Sequence, residues 1–275
     1  MKQAVLGFIA IVAGLFLSVA RADVLVLVHG YLGSAQSWDA SGITAELERH
    51  GWQRAGLFIT GPAGTRLMPS PGNTGDQKYY TVDLPSAAPV LIQAFHLRQI
   101  LQSIGTLHAN ESISIAGHSA GGVVARVALV RGDIKNIKSL ITIASPHLGT
   151  GRAEQALDAT DIPFPLSMVT DFFGGATYDT VMRSRSLFVD LVRQRPGSLL
   201  YWLNTQPHPD IEYFSVVRGQ PAIISGDYIV PGYSQDMNNV PVLQGRSSLI
   251  RVNNSNHGLN MLDGSVIASV LAGMI

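Results

Sequence analysis

Ser112-Ile113-Ser114-Ile115-Ala116-Gly117-His118-Ser119-Ala120-Gly121 leads directly into Gly122-Val123-Val124-Ala125-Arg126-Val127-Ala128-Leu129. The first five residues read as a strand, the last eight as a helix, and G-x-S-x-G stands between them. That placement predicts a nucleophile elbow, a strained turn that lifts the serine Oγ clear of the sheet. The flanking glycines fit because a Cβ there would crowd the neighbouring strand or helix. With 28 glycines in 275 residues the pattern alone carries little. Its position between strand and helix makes Ser119 the first candidate site residue.

Working outward, Val24-Leu25-Val26-Leu27-Val28 is a continuous apolar run, which predicts a strand buried on both faces of a parallel sheet. A loop, His29-Gly30-Tyr31-Leu32-Gly33-Ser34, follows, then a helix over 38–50 and a strand over 56–60. Residues 61–78 are rich in Pro, Gly and Asn and predict a long loop. Tyr79 to Pro85 is extended, and Ser86 is expected to cap a helix whose apolar stripe is Val90, Ala94, Leu97, Leu101 and Ile104. Lys138 to Ala144 reads as the strand after the elbow helix. Residues 151–210 then break the rhythm, with helices expected at 178–195 and 197–204. Strands at 211–217 and 248–252 and a last helix from about Leu262 complete the chain. Strands alternating with helices predict an α/β domain with right-handed crossovers and a mainly parallel sheet.

Composition narrows the function classes. Met1 and Lys2 precede an apolar run from Ala4 to Val19 that ends in Ala20-Arg21-Ala22, so residues 1–22 read as a secretory signal peptide cut before Asp23. The alternative is an uncleaved membrane anchor, for which the run is short. Residues 23–275 suit one domain with one insertion. The chain has no cysteine, which excludes disulfides, a catalytic thiol and cysteine metal sites. Lys+Arg and Asp+Glu balance at 19 each, so nothing marks a nucleic-acid partner. Charged residues are 14%, below the roughly 25% of ordinary domains. That deficit permits an apolar, lipid-facing surface, and an Ala- and Gly-rich core explains it equally well.

A serine hydroxyl needs a base within hydrogen-bond reach, itself oriented by an acid. On a sheet carrying this elbow the chain order is nucleophile, acid, histidine. His257 is the histidine that follows the strand at 248–252, and His208, between two prolines, reads as a surface residue. Asp227, in Ser225-Gly226-Asp227-Tyr228-Ile229-Val230-Pro231, is the best-placed acid. Asp236 is an alternative, and Asp158 or Asp161 would serve if the acid followed the preceding strand. For the oxyanion, the Ala120 amide and the Tyr31 amide are the expected donors, with Leu32 next in line; each donor is worth roughly 3–4 kcal/mol of barrier. His29 and His118 read as structural.

Four segments together resemble the bacterial triacylglycerol lipase and esterase branch of the α/β-hydrolase superfamily: Val26-Leu27-Val28-His29-Gly30, Gly117-His118-Ser119-Ala120-Gly121-Gly122, Ser145-Pro146-His147-Leu148-Gly149-Thr150, and Asp227-Tyr228-Ile229-Val230-Pro231 with His257-Gly258. The resemblance spans about 25–260 and implies the α/β-hydrolase fold, a catalytic Ser119–Asp227–His257 triad, acyl-enzyme chemistry on an acyl ester or lipid substrate, and a lid or cap at about 151–210. Phe164, Leu166, Met168, Phe172 and Phe173 of that insertion, with Leu32, would line an acyl pocket; simple packing of the insertion explains each one singly as well. Hydrolysis by this route needs no cofactor. Several secreted relatives hold calcium partly through an aspartate two residues past the histidine, where this chain has Leu259, so no metal site is expected. Acyl transfer would use the same residues, and a binding protein on the same scaffold is the reading from a different class. A lipid–water interface is a further expected partner; the sequence does not speak to a folding chaperone.

Overall fold

The computed structural model describes residues 23–72, 75–132, 134–161, 178–220 and 224–274. The proposed signal peptide therefore lies outside the described residues, as do Phe164, Leu166, Met168, Phe172 and Phe173. Among the described residues no helix is long and apolar enough to cross a membrane.

Among the described residues nine strands form the sheet: β1 (Asp23–Val28), β2 (Gln53–Gly61), β3 (Gly64–Pro69), β4 (Gln77–Asp83), β5 (Ser112–His118), β6 (Ile137–Ile143), β7 (Glu212–Gln220), β8 (Ile224–Ser225) and β9 (Ser247–Val252). They run β3-β2-β4-β1-β5-β6-β7-β8, with β9 also pairing β7. Every pairing is parallel except the hairpin β2–β3 and the short β7–β8 contact. This is the mainly parallel α/β sheet that the strand–helix alternation predicts.

β1 shows why the sheet sits in the middle. Val24, Val26 and Val28 join one core cluster and Leu25 and Leu27 the other, and all five are fully buried. Side chains alternate across a strand, so apolar residues at every position serve both faces. Each buried side chain of this size stabilises by about 1.5–3 kcal/mol. One face is covered by α3 (Val90–Leu107) and α4 (Ala120–Val130). The other is covered by α1 (Gln36–Ala40), α2 (Ile43–Arg49) and α10 (Met261–Leu271), through Trp38, Ile43, Leu47 and Ile267. Between β6 and β7 the chain forms α5 (Gly151–Asp161), α6 (Tyr178–Arg183), α7 (Arg185–Leu191) and α8 (Leu199–Leu203), and α9 (Gly232–Gln235) follows β8.

Several elements differ from the expectations. The stretch 61–78 is not all loop, because it contains β3, an edge strand with mostly half-buried or exposed residues and hence no period to read. The helix over 38–50 is two, broken at Gly42, whose φ of 79° is left-handed. The helix expected over 178–195 breaks at the buried Ser184, and the last of the pair spans Leu199–Leu203, capped by Ser198 Oγ accepting from the Tyr201 amide. Ser86 does not cap α3. The N-cap is Pro89, whose apolar ring offers no acceptor, and the Val90 amide is instead met at 2.8 Å by Asp190 Oδ2 from α7. A carboxylate at a helix start is favoured by the helix dipole whichever part of the chain supplies it.

Candidate active site

The strand order reverses at β1, which lies between β4 and β5, and in such sheets the crevice at the carboxyl ends of the strands is where ligands bind. Val28 is in register with Gly117, so the loops leaving β1 and β5 start side by side. Ser119 heads α4 with φ 51° and ψ −126°, a sparsely populated conformation for a residue with a Cβ. Its amide donates to the Ile143 carbonyl at 2.9 Å, which holds the turn against β6. The turn is possible only because its neighbours lack side chains. A Cβ on Gly117 would lie 2.7 Å from Gly122 Cα, and one on Gly121 would run into the carbonyl oxygens of Val28 and His29.

The structure brings Ser119, His257 and Asp227 together. His257 Nε2 lies 2.8 Å from Ser119 Oγ, and His257 Nδ1 lies 2.8 Å from Asp227 Oδ2. With a carboxylate on Nδ1, that nitrogen carries the proton and Nε2 is the acceptor of the serine hydroxyl. Asp227 is buried in a tight turn, its Oδ1 accepting from the amides of Ile229 and Val230, each at 2.7 Å. The turn is anchored to the start of α5, where Thr150 Oγ1 donates to the Ile229 carbonyl and Arg152 Nε donates to the Tyr228 carbonyl at 2.9 Å. Of the other acids weighed, Asp236 caps a short turn through Asn238, Asp158 is exposed on α5, and the side chain of Asp161 lies outside what is described.

Tyr31 and Leu32 occupy a turn closed by the Gly33 amide donating to the Gly30 carbonyl at 3.0 Å, with Leu32 at φ 55°. Gly30 lets this turn approach the serine: a Cβ there would sit 2.9 Å from Ser119 Cβ. Neither the Tyr31 nor the Ala120 amide is engaged by another described residue. A cavity of about 320 Å³ opens beside Ser119 and His257, walled by Tyr31, Ala153, Phe188, Leu191, Ile229 and Val230. Tyr31 and Phe188 meet edge to face at 5.2 Å. Leu32 also lines this cavity; Phe188 and Leu191 do so from α7 and carry no signal in the sequence beyond an apolar helix face. Among the described residues no group of three or more His, Cys, Asp or Glu could hold a metal ion.

The histidines divide clearly. His29 is buried and braces its loop, Nδ1 donating to the Gly30 carbonyl at 2.9 Å and Nε2 accepting from the Leu84 amide at 3.0 Å; burial pushes it below its ordinary value. His208 is not a surface residue. It is buried against Arg126, which sequence reasoning did not single out. Arg126 is wholly buried and meets no carboxylate among its bonded partners: it donates to His208 Nε2 at 3.0 Å, Asn204 Oδ1 at 2.9 Å and His147 Nδ1 at 3.4 Å. Its guanidinium is drawn down to about 9 by that burial. A second cation, Arg218, is buried against Asp263 at 2.6 Å and donates to the Gly258 carbonyl at 3.3 Å, beside His257.

A parallel sheet with a serine at the strained turn after β5 and a histidine after β9 is the α/β-hydrolase fold, of the lipase and esterase branch. The chain belongs to the family of PGAP1-like alpha/beta domains, whose model matches residues 21–158, and to the family described as "Putative serine esterase (DUF676)", matched over residues 95–236. No curated protein matches it. Among solved structures, a gene product of Listeria innocua is 15% identical with a TM-score of 0.57, over 91% of this chain and 92% of the other. A Bacillus licheniformis lipase in mature form is also 15% identical with a TM-score of 0.57, over 93% and 92%. A lipase-esterase related protein of Clostridium acetobutylicum is 14% identical with a TM-score of 0.52, over 93% and 95%. These structures share the fold. The family matches support an ester hydrolase in general.

Proposed function

We propose that the protein is a secreted carboxylic ester hydrolase that works through Ser119, His257 and Asp227. The reading is carried by one observation, the unbroken hydrogen-bonded line from Asp227 Oδ2 through the His257 ring to Ser119 Oγ. His257 Nε2 takes the Ser119 proton as Oγ attacks the ester carbonyl, and Asp227 stabilises the imidazolium that forms. The amides of Tyr31 and Ala120 hold the oxyanion. His257 then gives the proton to the departing alcohol, leaving an acyl-Ser119 ester, and water activated by His257 releases the acid.

The apolar wall of Phe188, Leu191, Ile229 and Val230 favours an acyl chain. A volume of about 320 Å³ falls at the small end of ligand pockets, which run to ~1,000 Å³, and suits one chain of medium length. The described helices α5 and α7 of the insertion wall the cavity through Ala153, Phe188 and Leu191 and serve in this reading as the cap over the acyl chain, and residues 1–22 direct export. Initial rates against p-nitrophenyl esters from acetate to palmitate test the reading. We expect a medium-chain optimum that is abolished in Ser119→Ala. Turnover unchanged by Ser119→Ala would refute the assignment. Products analysed with and without an added alcohol separate hydrolysis from acyl transfer.

A further inference from the structure

His118 stands beside the nucleophile in the chain, yet its side chain reaches the base. His118 Nε2 donates to the backbone carbonyl of His257 at 2.9 Å, and the two rings lie 5.2 Å apart at 44°. A closed circuit results. It runs from Ser119 along the backbone to His118, across to the His257 carbonyl, through the His257 ring and back to Ser119 Oγ at 2.8 Å.

His257 needs such a tie because its segment, residues 253–260, forms no helix or strand. Within it the bonds are local, Asn254 Oδ1 accepting from the Asn256 amide at 2.8 Å and Asn256 Oδ1 from the Gly258 amide at 3.0 Å. The flanks are fixed by the Gly219 amide on the Asn254 carbonyl and by Arg218 on the Gly258 carbonyl. His118 alone among these partners joins the His257 peptide to the nucleophile's own turn.

We infer that His118 is a positioning residue: its Nε2–H fixes the His257 carbonyl and thereby aims the imidazole at Ser119 Oγ. This rests on the reading of Ser119, Asp227 and His257 given above. The bond assigns the tautomer, because a carbonyl only accepts, so Nε2 carries the hydrogen. Burial, with the neighbouring His257 charge, pushes His118 down to about 3. It therefore stays neutral while His257 becomes cationic, and donates throughout without setting a second charge against the imidazolium.

The test compares His118→Leu, which fills the space without a donor, with His118→Gln, whose amide nitrogen matches the reach of Nε2. For each variant we would measure kcat and KM on a short-chain ester, the pH profile of kcat/KM, the thermal midpoint and the rate of fluorophosphonate labelling. His118→Leu should lower kcat by roughly 10- to 100-fold, the scale of a misplaced catalytic group, with KM nearly unchanged. Its pH profile of kcat/KM should differ from that of the wild type, because the imidazole no longer keeps its place between Asp227 and Ser119. His118→Gln should restore most of the rate and the profile. Wild-type kcat and profile in His118→Leu would overturn the inference, as would a His118→Gln variant equally impaired. If His118→Leu does not fold, His118→Asn replaces it: its amide is too short to span the gap, and wild-type kcat would again overturn the proposal. Absence of labelling in the wild type would instead defeat the reading of the site, whereas equal labelling of wild type and His118→Leu defeats only the role of His118.

Discussion

Gln235 and His257 share one acceptor: Gln235 Nε2 donates to Asp227 Oδ2 at 3.1 Å, and His257 Nδ1 meets the same atom at 2.8 Å. Gln235 is in turn fixed, its Oε1 accepting from the Arg218 amide at 2.8 Å and its Nε2 also reaching the Val230 carbonyl at 2.7 Å. With the two amides on Oδ1, the carboxylate is held by four donors and can rotate toward none of its alternatives. Asp227→Asn should lower kcat by about 10⁴-fold, because an amide favours the wrong imidazole tautomer. Gln235→Leu should cost about tenfold, the equivalent of one modest hydrogen bond to a charged group. Steady-state kinetics on one ester measures both, and equal losses in the two variants would contradict the division of labour.

Buried histidines set the acid limit of stability, two of them packed on Arg126. His208 donates through Nδ1 to the Gln206 carbonyl at 2.8 Å and presents its Nε2 lone pair to Arg126. His147 lies 3.1 Å from Thr142 Oγ1 through Nε2 and turns Nδ1 to the same guanidinium. Protonating either ring would face one N–H against another. Burial, then Arg126, pushes His208 down to about 4 and His147 well below its ordinary value. A folded-state value below the unfolded 6.5 means the unfolded chain binds more protons in between. Stability should thus be level above pH 6.5 and fall as pH drops from there toward 4. Thermal midpoints across that range check the sign, and His208→Gln should flatten the slope.

Arg126→Met should destabilise the fold without entering the chemistry. It strands the acceptors on Asn204, His147 and His208 in a buried site, at roughly 1–3 kcal/mol for each group left unpaired. Urea unfolding should show a lower midpoint, while kcat of the remaining folded protein changes little. A midpoint equal to wild type would mean that the cluster contributes nothing.

Gly121→Ala should be poorly tolerated. The added methyl meets backbone carbonyls of Val28 and His29, which cannot move aside without shifting β1 and its loop. Overpacking of this kind costs about 1–3 kcal/mol or more. Soluble yield and thermal midpoint should both fall; a stable, active variant would contradict the tight seating of the turn on β1.

What the sequence discloses follows the range of the interaction. The β1 run and the alternation after it are local signals, so the parallel sheet and the elbow are legible in the residues themselves. His257 and Asp227 emerge from chain order on such a sheet, but their hydrogen bonds need coordinates. β3 was hidden because an edge strand has no buried face to impose a period. The cap of α3 was hidden because Asp190 lies a hundred positions from Val90. His208 reads as a surface residue between its prolines and is buried because Arg126, on another element, reaches it. Each of these depends on contacts that no local pattern carries.

The central claim is that Ser119 Oγ is a nucleophile activated by His257. Incubation with a fluorophosphonate, followed by intact mass and peptide mapping, tests it most directly. We predict one adduct, on Ser119, absent from Ser119→Ala and slowed by several orders of magnitude in His257→Ala. A folded wild-type protein that forms no adduct, or one that carries it on another residue, would contradict the account.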